Sequence, residues 1–164
     1  MKQRNGLLKM KNKLKTKEDI AKIAEELRKQ GKSIVTTNGS FDIVHAGHIK
    51  YLKEAKEQGD ILIIGLNSNK SIKVYKGEDR PIFDENDRAE ILASFLFVDY
   101  ITIFDETTPM DFIKNIKPNV HVNGEEYGKD CIEAETVKEN GGRLHLIKRD
   151  NRFSTTDIIN RLKK

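Results

Sequence analysis

The stretch from Thr36 to Leu52 reads TTNGSFDIVHAGHIKYL and carries two histidines, His45 and His48. The residues that lead into it, Ser33 to Thr37, are mostly β-formers and predict a short buried strand. The apolar residues after the histidines recur at helical spacing. The stretch therefore predicts a strand, a turn and a helix in that order, with both histidines at the start of the helix.

A turn of this kind is suited to binding an anion. Its residues are small or polar: Asn38, Gly39 and Ser40. Gly47 lets the backbone come close to a ligand, and the free N–H groups at a helix N-terminus favour anions such as phosphate. Two imidazoles three residues apart can reach the same anion and stabilise the charge that builds when a phosphorus is attacked. We therefore predict that His45 and His48 are catalytic.

Two other interpretations of the histidine pair are weaker. A helical zinc pair usually needs a third protein ligand, and no nearby cysteine completes such a set. Helix-capping or core histidines would explain one histidine on its own. The functional interpretation is favoured because the segments GSFD and HAGH occur together between a strand and a helix.

The segment GSFDIVHAGH resembles the signature of the nucleotidyltransferase superfamily that carries the HxGH motif. The resemblance implies a Rossmann-like, doubly wound parallel α/β sheet. It also implies transfer of a nucleotidyl group from a nucleoside triphosphate to a phosphate or a phosphorylated alcohol, with release of pyrophosphate. Class I aminoacyl-tRNA synthetases share a related motif, but a chain of 164 residues is too short for one.

Length and composition predict one globular domain in the cytoplasm. The chain has 164 residues, of which 37% are hydrophobic and 34% charged. No apolar run approaches the roughly 20 residues of a membrane span, and the N-terminus does not resemble a signal peptide. A single cysteine, Cys131, fits a reducing compartment and has no partner that indicates a catalytic thiol. We therefore expect no membrane partner.

The net charge of +4 comes from the N-terminus. The first 15 residues hold six basic residues and no acid, so the remainder holds 24 basic and 26 acidic residues. We predict a basic tail over residues 1–15 and a nucleotidyltransferase domain over residues 16–164. Such a tail is more often solvated than bound to nucleic acid, and we expect no nucleic-acid partner.

The rest of the chain alternates between predicted strands and helices, which favours a doubly wound sheet in a single domain. Residues 16–30 predict an N-terminal amphipathic helix, and the continuously apolar run ILIIGL after Asp60 predicts a parallel strand covered on both faces. Further strands are expected at 97–104, at 119–122 and from 144. Further helices are expected from Asp84 to about 95, over 109–116 and 133–139, and from about 154. His121 and His145 fall in strands and are expected to be structural.

Residues 70–82, KSIKVYKGEDRPI, form a polar and basic segment after the ILIIGL strand. It is either a solvated loop or a mobile flap that closes on a triphosphate or sugar phosphate. We predict substrate contacts from this region: Asn67, Lys73, Lys76 and Arg80. Lys73 is also a predicted catalytic residue, and Arg88 is expected to bind the nucleotide or neutralise pyrophosphate.

A second candidate phosphate or base contact lies at Arg149 to Thr156, which reads RDNRFSTT between the last strand and the last helix. Plain N-capping would need only one of its hydroxyls. The segment is similar to the C-terminal motif ending in STT in cytidylyltransferases. That resemblance implies a catalytic Arg149 and nucleotide contacts from the three hydroxyl residues: Ser154, Thr155 and Thr156.

The succession of motifs after about Thr16 most resembles the domain that transfers the nucleotidyl group of ATP to heptose 1-phosphate. The runners-up are glycerol-phosphate cytidylyltransferases and flavin-nucleotide adenylyltransferases. We predict nucleotide contacts from two further groups: Asn38, Gly39, Ser40, Phe41, Asp42, Gly47 and His48; and Asn123, Gly124 and Glu126. Phe41 is alternatively a core anchor, and Asp42 alternatively caps the turn or reaches a metal through water. Mg²⁺ is expected to be held by phosphates and water, with no protein ligand assigned. The family likeness implies a possible homodimer.

Overall fold

The computed structural model describes residues 13–148 and the helix of residues 155–162. The fold is a five-stranded parallel sheet with helices on both faces. The strands are β1 Ile34–Gly39, β2 Ile61–Asn67, β3 Tyr100–Phe104, β4 Val120–Gly124 and β5 Arg143–Ile147. The helices are α1 Lys17–Lys29, α2 Ala46–Lys56, α3 Asn69–Lys76, α4 Glu85–Ala93, α5 Met110–Ile116, α6 Glu133–Glu139 and α7 Thr155–Leu162.

The strand order is β3-β2-β1-β4-β5, and every pairing is parallel. The order reverses between β1 and β4, which is where open α/β sheets leave a crevice at the carboxyl ends of their strands. β1 pairs with β2 along its whole length but with β4 only at Val35 and Thr36. β1 and β4 therefore separate just before the turn that carries the histidines. The strand order and the parallel pairing confirm the predicted doubly wound α/β fold.

Each face of the sheet has its own hydrophobic core. On one face Leu52 of α2 and Leu92 of α4 pack against the strands, and on the other Ile20 of α1 and Phe112 of α5 do so. The residues of β2 alternate between these cores, since Leu62 and Ile64 lie in one and Ile63 in the other. Burial on both faces explains why the β2 sequence is continuously apolar.

Two of the predicted helices, α1 and α4, begin at residues whose side chains cap them. The Thr16 side chain accepts a hydrogen bond from the Asp19 amide at the start of α1, and Asp84 accepts one from Asn86 at the start of α4. Both oxygens satisfy amides that have no partner within the helix. No helix in the described ranges is long and apolar enough to cross a membrane.

The predicted loop or flap at residues 70–82 is wrong over its first half, which forms α3. The Ser68 side chain caps this helix by accepting from the Ser71 amide, and Ile72 is fully buried against the sheet. Burial of this face stabilises the helix despite its lysines, because they lie on the exposed side. The helix ends at Gly77, whose φ of 94° favours glycine.

Residues 13–15, the described part of the predicted basic tail, lie along the outer edge of β3. The Lys15 amide donates to the Ile101 carbonyl, and the Ile101 amide donates to the Lys13 carbonyl, each at 2.9 Å. These bonds cover part of an otherwise exposed strand edge. Residues 1–12 lie outside the described residues, and the domain boundary at residue 15 stays a prediction.

Candidate active site

A cleft of about 570 Å³ opens at the carboxyl edge of the sheet, where β1 and β4 separate. Most of the predicted contact residues line it: Asn38, Gly39, Ser40, Phe41, Asp42, His45, Gly47, His48, Lys76, Asn123, Gly124, Glu126 and Thr155. Four segments that are distant in sequence therefore meet at one opening. Six further lining residues were not predicted from sequence: Lys50, Tyr51, Glu54, Tyr127, Ile147 and Lys148.

Phe41 shapes the turn that follows β1. Its φ of 41° is unusual for a residue other than glycine, and its side chain is buried. The ring meets the His48 ring edge-on, with centroids 5.5 Å apart. A Cβ added at Gly39 would lie 3.1 Å from the same ring, so the glycine lets the turn close over it. Phe41 thus anchors the turn in the core, and its ring packs against the ring of His48.

The two histidines form one unit at the start of α2. His45 is the N-cap residue, and its ring stacks on that of His48 with centroids 3.9 Å apart. The His45 amide donates to Nδ1 of His48 at 3.3 Å. Because Nδ1 accepts this bond, the proton of the neutral ring lies on Nε2, which is then a hydrogen-bond donor. The pair therefore places a ring N–H donor at a helix N-terminus, where free backbone amides favour anions.

Tyr51, one helical turn beyond His48, closes the gap between the separating strands. Its hydroxyl donates to the Val122 carbonyl at 3.0 Å and pairs with Oγ1 of Thr37 at 2.7 Å. Burial raises the pKa of the Tyr51 hydroxyl, which therefore stays protonated. The sequence signal was the spacing of three residues from His48, which puts Tyr51 on the same face of α2.

Asp42 holds the loop that follows α3 against the histidine turn. Its carboxylate accepts from the amides of Ile82 and Phe83 and forms an ion pair with Arg80 at 2.6 Å. Burial by itself would raise the pKa of Asp42, but the two amides and Arg80 outweigh burial and hold the pKa below its ordinary value. This geometry favours the turn-anchoring role over direct contact with a nucleotide or metal.

Arg88 does not line the cleft, contrary to the predicted nucleotide contact. Its side chain is fully buried, and its guanidinium donates to four protein oxygens within 3.0 Å. These are the carbonyls of Phe83, Ser40 and Asn67 and Oδ1 of Asn69. Arg88 therefore ties α4 to the histidine turn and to the end of β2. Asn67 is itself buried and donates to the Ser71 hydroxyl, so it too lies outside the cleft lining.

The basic residues of the 70–82 segment are placed differently from one another. Lys76 lines the cleft and donates from Nζ to the Ser40 hydroxyl at 2.8 Å. Burial lowers the pKa of Lys76. Arg80 is paired with Asp42, and Lys73 forms an exposed ion pair with Glu78 at 3.1 Å. Among these three, only Lys76 presents its charge to the cleft in this structure.

The opposite wall of the cleft begins at the end of β4. Oδ1 of Asn123 accepts a hydrogen bond from the Gly124 amide at 3.1 Å. A Cβ added at Gly124 would lie 2.2 Å from a carboxylate oxygen of Glu126, so the acid sits directly over the glycine. This wall carries the Glu126 carboxylate, whereas the histidines and Lys76 lie on the other wall.

The last helix joins the site through Thr155. Its hydroxyl donates to the Ile43 carbonyl in the histidine turn at 3.3 Å, and the residue lines the cleft. The N-termini of α2 and α7 therefore meet at one opening, as the sequence predicts. Arg149 and Ser154 lie outside the described residues, and so does the side chain of Thr156.

Three other titratable residues are placed as structural groups. His121 is fully buried and pairs through Nδ1 with the Thr36 hydroxyl at 2.8 Å, and burial lowers its pKa to about 3. Nε2 of His145 lies 3.9 Å from Glu54. Burial raises the pKa of the Cys131 thiol, which is the wrong direction for a nucleophile. Within the described residues, no three His, Cys, Asp or Glu side chains are grouped to hold a metal ion.

Comparison with known proteins gives a family match and several curated relatives. The family model described as cytidylyltransferase-like matches residues 36–161. The chain is 50% identical over 152 residues to the bifunctional protein HldE of Aliarcobacter butzleri, covering 92% of this chain and 31% of that protein. It is 48% identical over 151 residues to the bifunctional protein HldE of a Nitratiruptor species, covering 92% and 32%. The chain thus spans about a third of the length of these curated relatives.

Two solved structures share the fold. A lipopolysaccharide core biosynthesis protein from Thermoplasma volcanium GSS1 superposes with a TM-score of 0.58 at 30% identity, covering 73% of this chain and 98% of that one. Pantoate-β-alanine ligase from Francisella tularensis superposes with a TM-score of 0.63, covering 92% and 76%, but at 18% identity it supports the fold alone. With the family match over most of its length, the chain belongs to the cytidylyltransferase-like family of nucleotidyltransferases, as its motifs predict.

Proposed function

We propose that this domain transfers a nucleoside monophosphate from a nucleoside triphosphate, ATP in the first instance, to a sugar 1-phosphate such as D-glycero-D-manno-heptose 1-phosphate. Pyrophosphate is the second product. The observation that carries the proposal is the stacked pair of His45 and His48 at the N-terminus of α2, inside the switch-point cleft. The similarity to HldE proteins and to a lipopolysaccharide core biosynthesis protein supports a sugar phosphate as the acceptor.

In the proposed reaction a phosphate oxygen of the acceptor attacks the α-phosphorus of the triphosphate. A new P–O bond forms as the bond to the leaving pyrophosphate breaks, so no protein nucleophile is needed. His48 donates from Nε2 to the α-phosphate as negative charge grows there, and His45 stabilises the same anion. A donor that is fixed in place before the reaction contributes most to catalysis.

Lys76 lines the cleft beside the turn and can meet the phosphates there. Lys50 and Lys148 are the other lysines of the lining. The present bond of Lys76 to the Ser40 hydroxyl keeps it within the histidine wall. We retain Arg149 and Lys73 as predicted catalytic residues and Arg80 as a predicted substrate contact. For Lys73 and Arg80 this role requires exchange of their ion pairs with Glu78 and Asp42.

Enzymes of this family commonly use a divalent metal ion, and we propose Mg²⁺. Mg²⁺ keeps several waters and is usually bound through substrate phosphates with few protein ligands. A cleft without a dedicated cluster of metal ligands in the described residues is compatible with that mode. When bound, the ion would neutralise charge on the triphosphate. A cytoplasmic location and a homodimer remain predictions.

The test is pyrophosphate release by purified protein with Mg²⁺ and each of ATP, CTP, GTP and UTP. The acceptor panel contains heptose 1-phosphate, glycerol 3-phosphate and flavin mononucleotide. Release with ATP and the heptose supports the proposal, and release with CTP and glycerol 3-phosphate would transfer the function to the cytidylyltransferase alternative. Release that persists in His48→Ala at the wild-type rate would contradict the mechanism.

A further inference from the structure

An exposed aromatic ring lines the cleft on the wall that follows β4. Tyr127 is 63% exposed, and it belongs to the cleft lining. The described lining holds two other phenylalanine or tyrosine rings, and both are packed or bonded within the fold. Phe41 is buried against His48, and Tyr51 bridges the two separating strands through its hydroxyl. Of these three rings, that of Tyr127 is the most exposed.

A short and well-defined turn holds this ring at the cleft. Residues Glu125–Tyr127 form a single 3₁₀ turn between Gly124 and Gly128. The Gly128 amide closes the turn by donating to the Glu125 carbonyl at 3.0 Å. A tyrosine side chain has few rotatable bonds, so little conformational entropy is lost when its ring is fixed against a ligand. The position therefore suits contact with a flat ligand group.

The two walls of the cleft differ in chemistry. Beyond β1, the N-terminus of α2 carries His45 and His48, and a helix N-terminus favours phosphate. Beyond β4, Tyr127 follows Glu126 in the same turn, and the carboxylate of Glu126 also lines the cleft. Like charges repel, so this carboxylate disfavours phosphate on the β4 wall. An uncharged part of the ligand is favoured there.

One nucleotide can contact both walls, because they begin at neighbouring strands. Paired strands lie about 4.8 Å apart, and β1 and β4 are paired only at Val35 and Thr36. The turns beyond them diverge and leave the cleft between them. The uncharged aromatic part of a nucleotide is its base, which the ribose separates from the phosphates. With the α-phosphate at the histidines, the base is therefore favoured on the β4 wall.

We infer that the ring of Tyr127 stacks on the base of the bound nucleoside triphosphate. The inference rests on the proposed nucleotidyl transfer and assigns a further binding residue to its nucleotide. Stacking uses the face of the base, and every base has such a face. Tyr127 therefore contributes affinity for the nucleoside and does not choose between adenine and cytosine.

The competing interpretation is an ordinary surface position, since isolated exposed apolar side chains are normal on proteins. A surface role predicts that removal of the ring changes the affinity of no ligand. A structural role in the turn predicts an equal loss of affinity for every ligand of the cleft. Stacking predicts a loss for nucleotides and none for a ligand that has phosphates but no base.

The experiment is a calorimetric titration of the full chain with two ligands, MgATP and magnesium tripolyphosphate, which has no base. If CTP binds the wild type more tightly than ATP, CTP takes the place of ATP. Tyr127→Ala should weaken nucleotide binding by about 5- to 150-fold, the range of base–aromatic stacking, and leave tripolyphosphate binding unchanged. Tyr127→Phe keeps the ring and should bind the nucleotide as the wild type does.

Ile132→Ala is the matched control, because Ile132 is 62% exposed and lies outside the cleft lining. It should change neither dissociation constant. The inference would be overturned by an unchanged nucleotide affinity in Tyr127→Ala, by an equal loss for tripolyphosphate, or by an equal loss in Tyr127→Phe.

Failure of the inference and failure of the proposed function are distinguishable. If the wild type binds a nucleotide but releases no pyrophosphate with any acceptor, the proposed function fails, and the affinities still decide the role of Tyr127. If the wild type binds no nucleoside triphosphate more tightly than tripolyphosphate, the base makes no favourable contact and the inference fails.

Discussion

The hydroxyl of Tyr51 donates a hydrogen bond to the carbonyl oxygen of Val122, 3.0 Å away, across the gap where β1 and β4 separate. The same hydroxyl pairs with Oγ1 of Thr37 on β1. One side chain of the histidine-bearing helix therefore holds both strands that form the cleft. We therefore expect the orientation of α2, and with it that of His48, to depend on this contact.

Removal of the Tyr51 hydroxyl tests that dependence. Tyr51→Phe leaves the Val122 carbonyl and the Thr37 hydroxyl without a partner, and we expect the free energy of unfolding to fall by about 1–3 kcal/mol. Urea denaturation measures the change. Tyr100→Phe removes a hydroxyl from a half-buried tyrosine on β3 and should stay within about 0.5 kcal/mol of the wild type. Equal stability of Tyr51→Phe and the wild type would show that the bridge is unimportant.

Loss of the His48 imidazole should affect catalysis and leave the fold intact. His48→Ala removes a donor that stabilises the developing charge, and we expect kcat to fall about 100-fold while the unfolding midpoint changes little. Steady-state pyrophosphate release and circular dichroism measure the two effects. The control is His145→Ala, whose ring lies on β5 outside the cleft lining. An unfolded or fully active His48→Ala protein would argue against the catalytic role.

Arg88 is expected to matter for stability more than for substrate contact. Arg88→Lys cannot supply the four separate donors that reach Phe83, Ser40, Asn67 and Asn69. We expect a loss of about 3 kcal/mol in the free energy of unfolding, since buried carbonyls lose their partners. Denaturant titration checks this. Arg143→Lys, at an exposed position, is the matched control. An equal loss in the free energy of unfolding in this control would contradict the structural role of Arg88.

His121 should make the fold sensitive to acid. Its pKa is lowered to about 3 from an ordinary 6.5, because burial disfavours the charged ring. Between these pH values the unfolded chain binds a proton that the folded protein does not, so the free energy of unfolding falls as the pH is lowered from 6.5 toward 3. Well above the ordinary pKa of histidine this group has no effect.

Denaturant titrations at about pH 7, 6 and 5, which span the ordinary pKa of histidine, measure the contribution of His121. The His121→Gln variant should lose less stability over this range than the wild type, by up to about 1.4 kcal/mol per pH unit. If the free energy of unfolding depended on pH in the same way in His121→Gln and in the wild type, the role assigned to His121 would be contradicted.

Local patterns in the sequence were sufficient for much of the fold. The capping residues Thr16 and Asp84 mark helix starts that the structure confirms. The apolar run of β2 predicts a strand covered on both faces, and two cores cover it. The exception is α3, where a high lysine content hid a helix whose buried residues include Ser71 and Ile72.

The individual roles of polar residues were harder to predict, because one side chain has several possible partners. Arg88 has the chemistry of a phosphate ligand, yet four protein oxygens surround it. Asp42 has the chemistry of a metal ligand, yet its carboxylate is bound by two backbone amides and by Arg80. Tyr51 carries no motif, and its position beside the cleft follows from strand and helix packing.

By itself the sequence determined the family, the parallel α/β fold and the turn that carries His45 and His48, because these depend on periodicity and on residues that are neighbours in the chain. Tertiary structure alone decided which basic residues face the cleft and which are held by the protein. It brought Lys76 to the histidine turn and buried Arg88 beneath it. Contacts between residues tens of positions apart arise from packing, which a local sequence pattern does not encode.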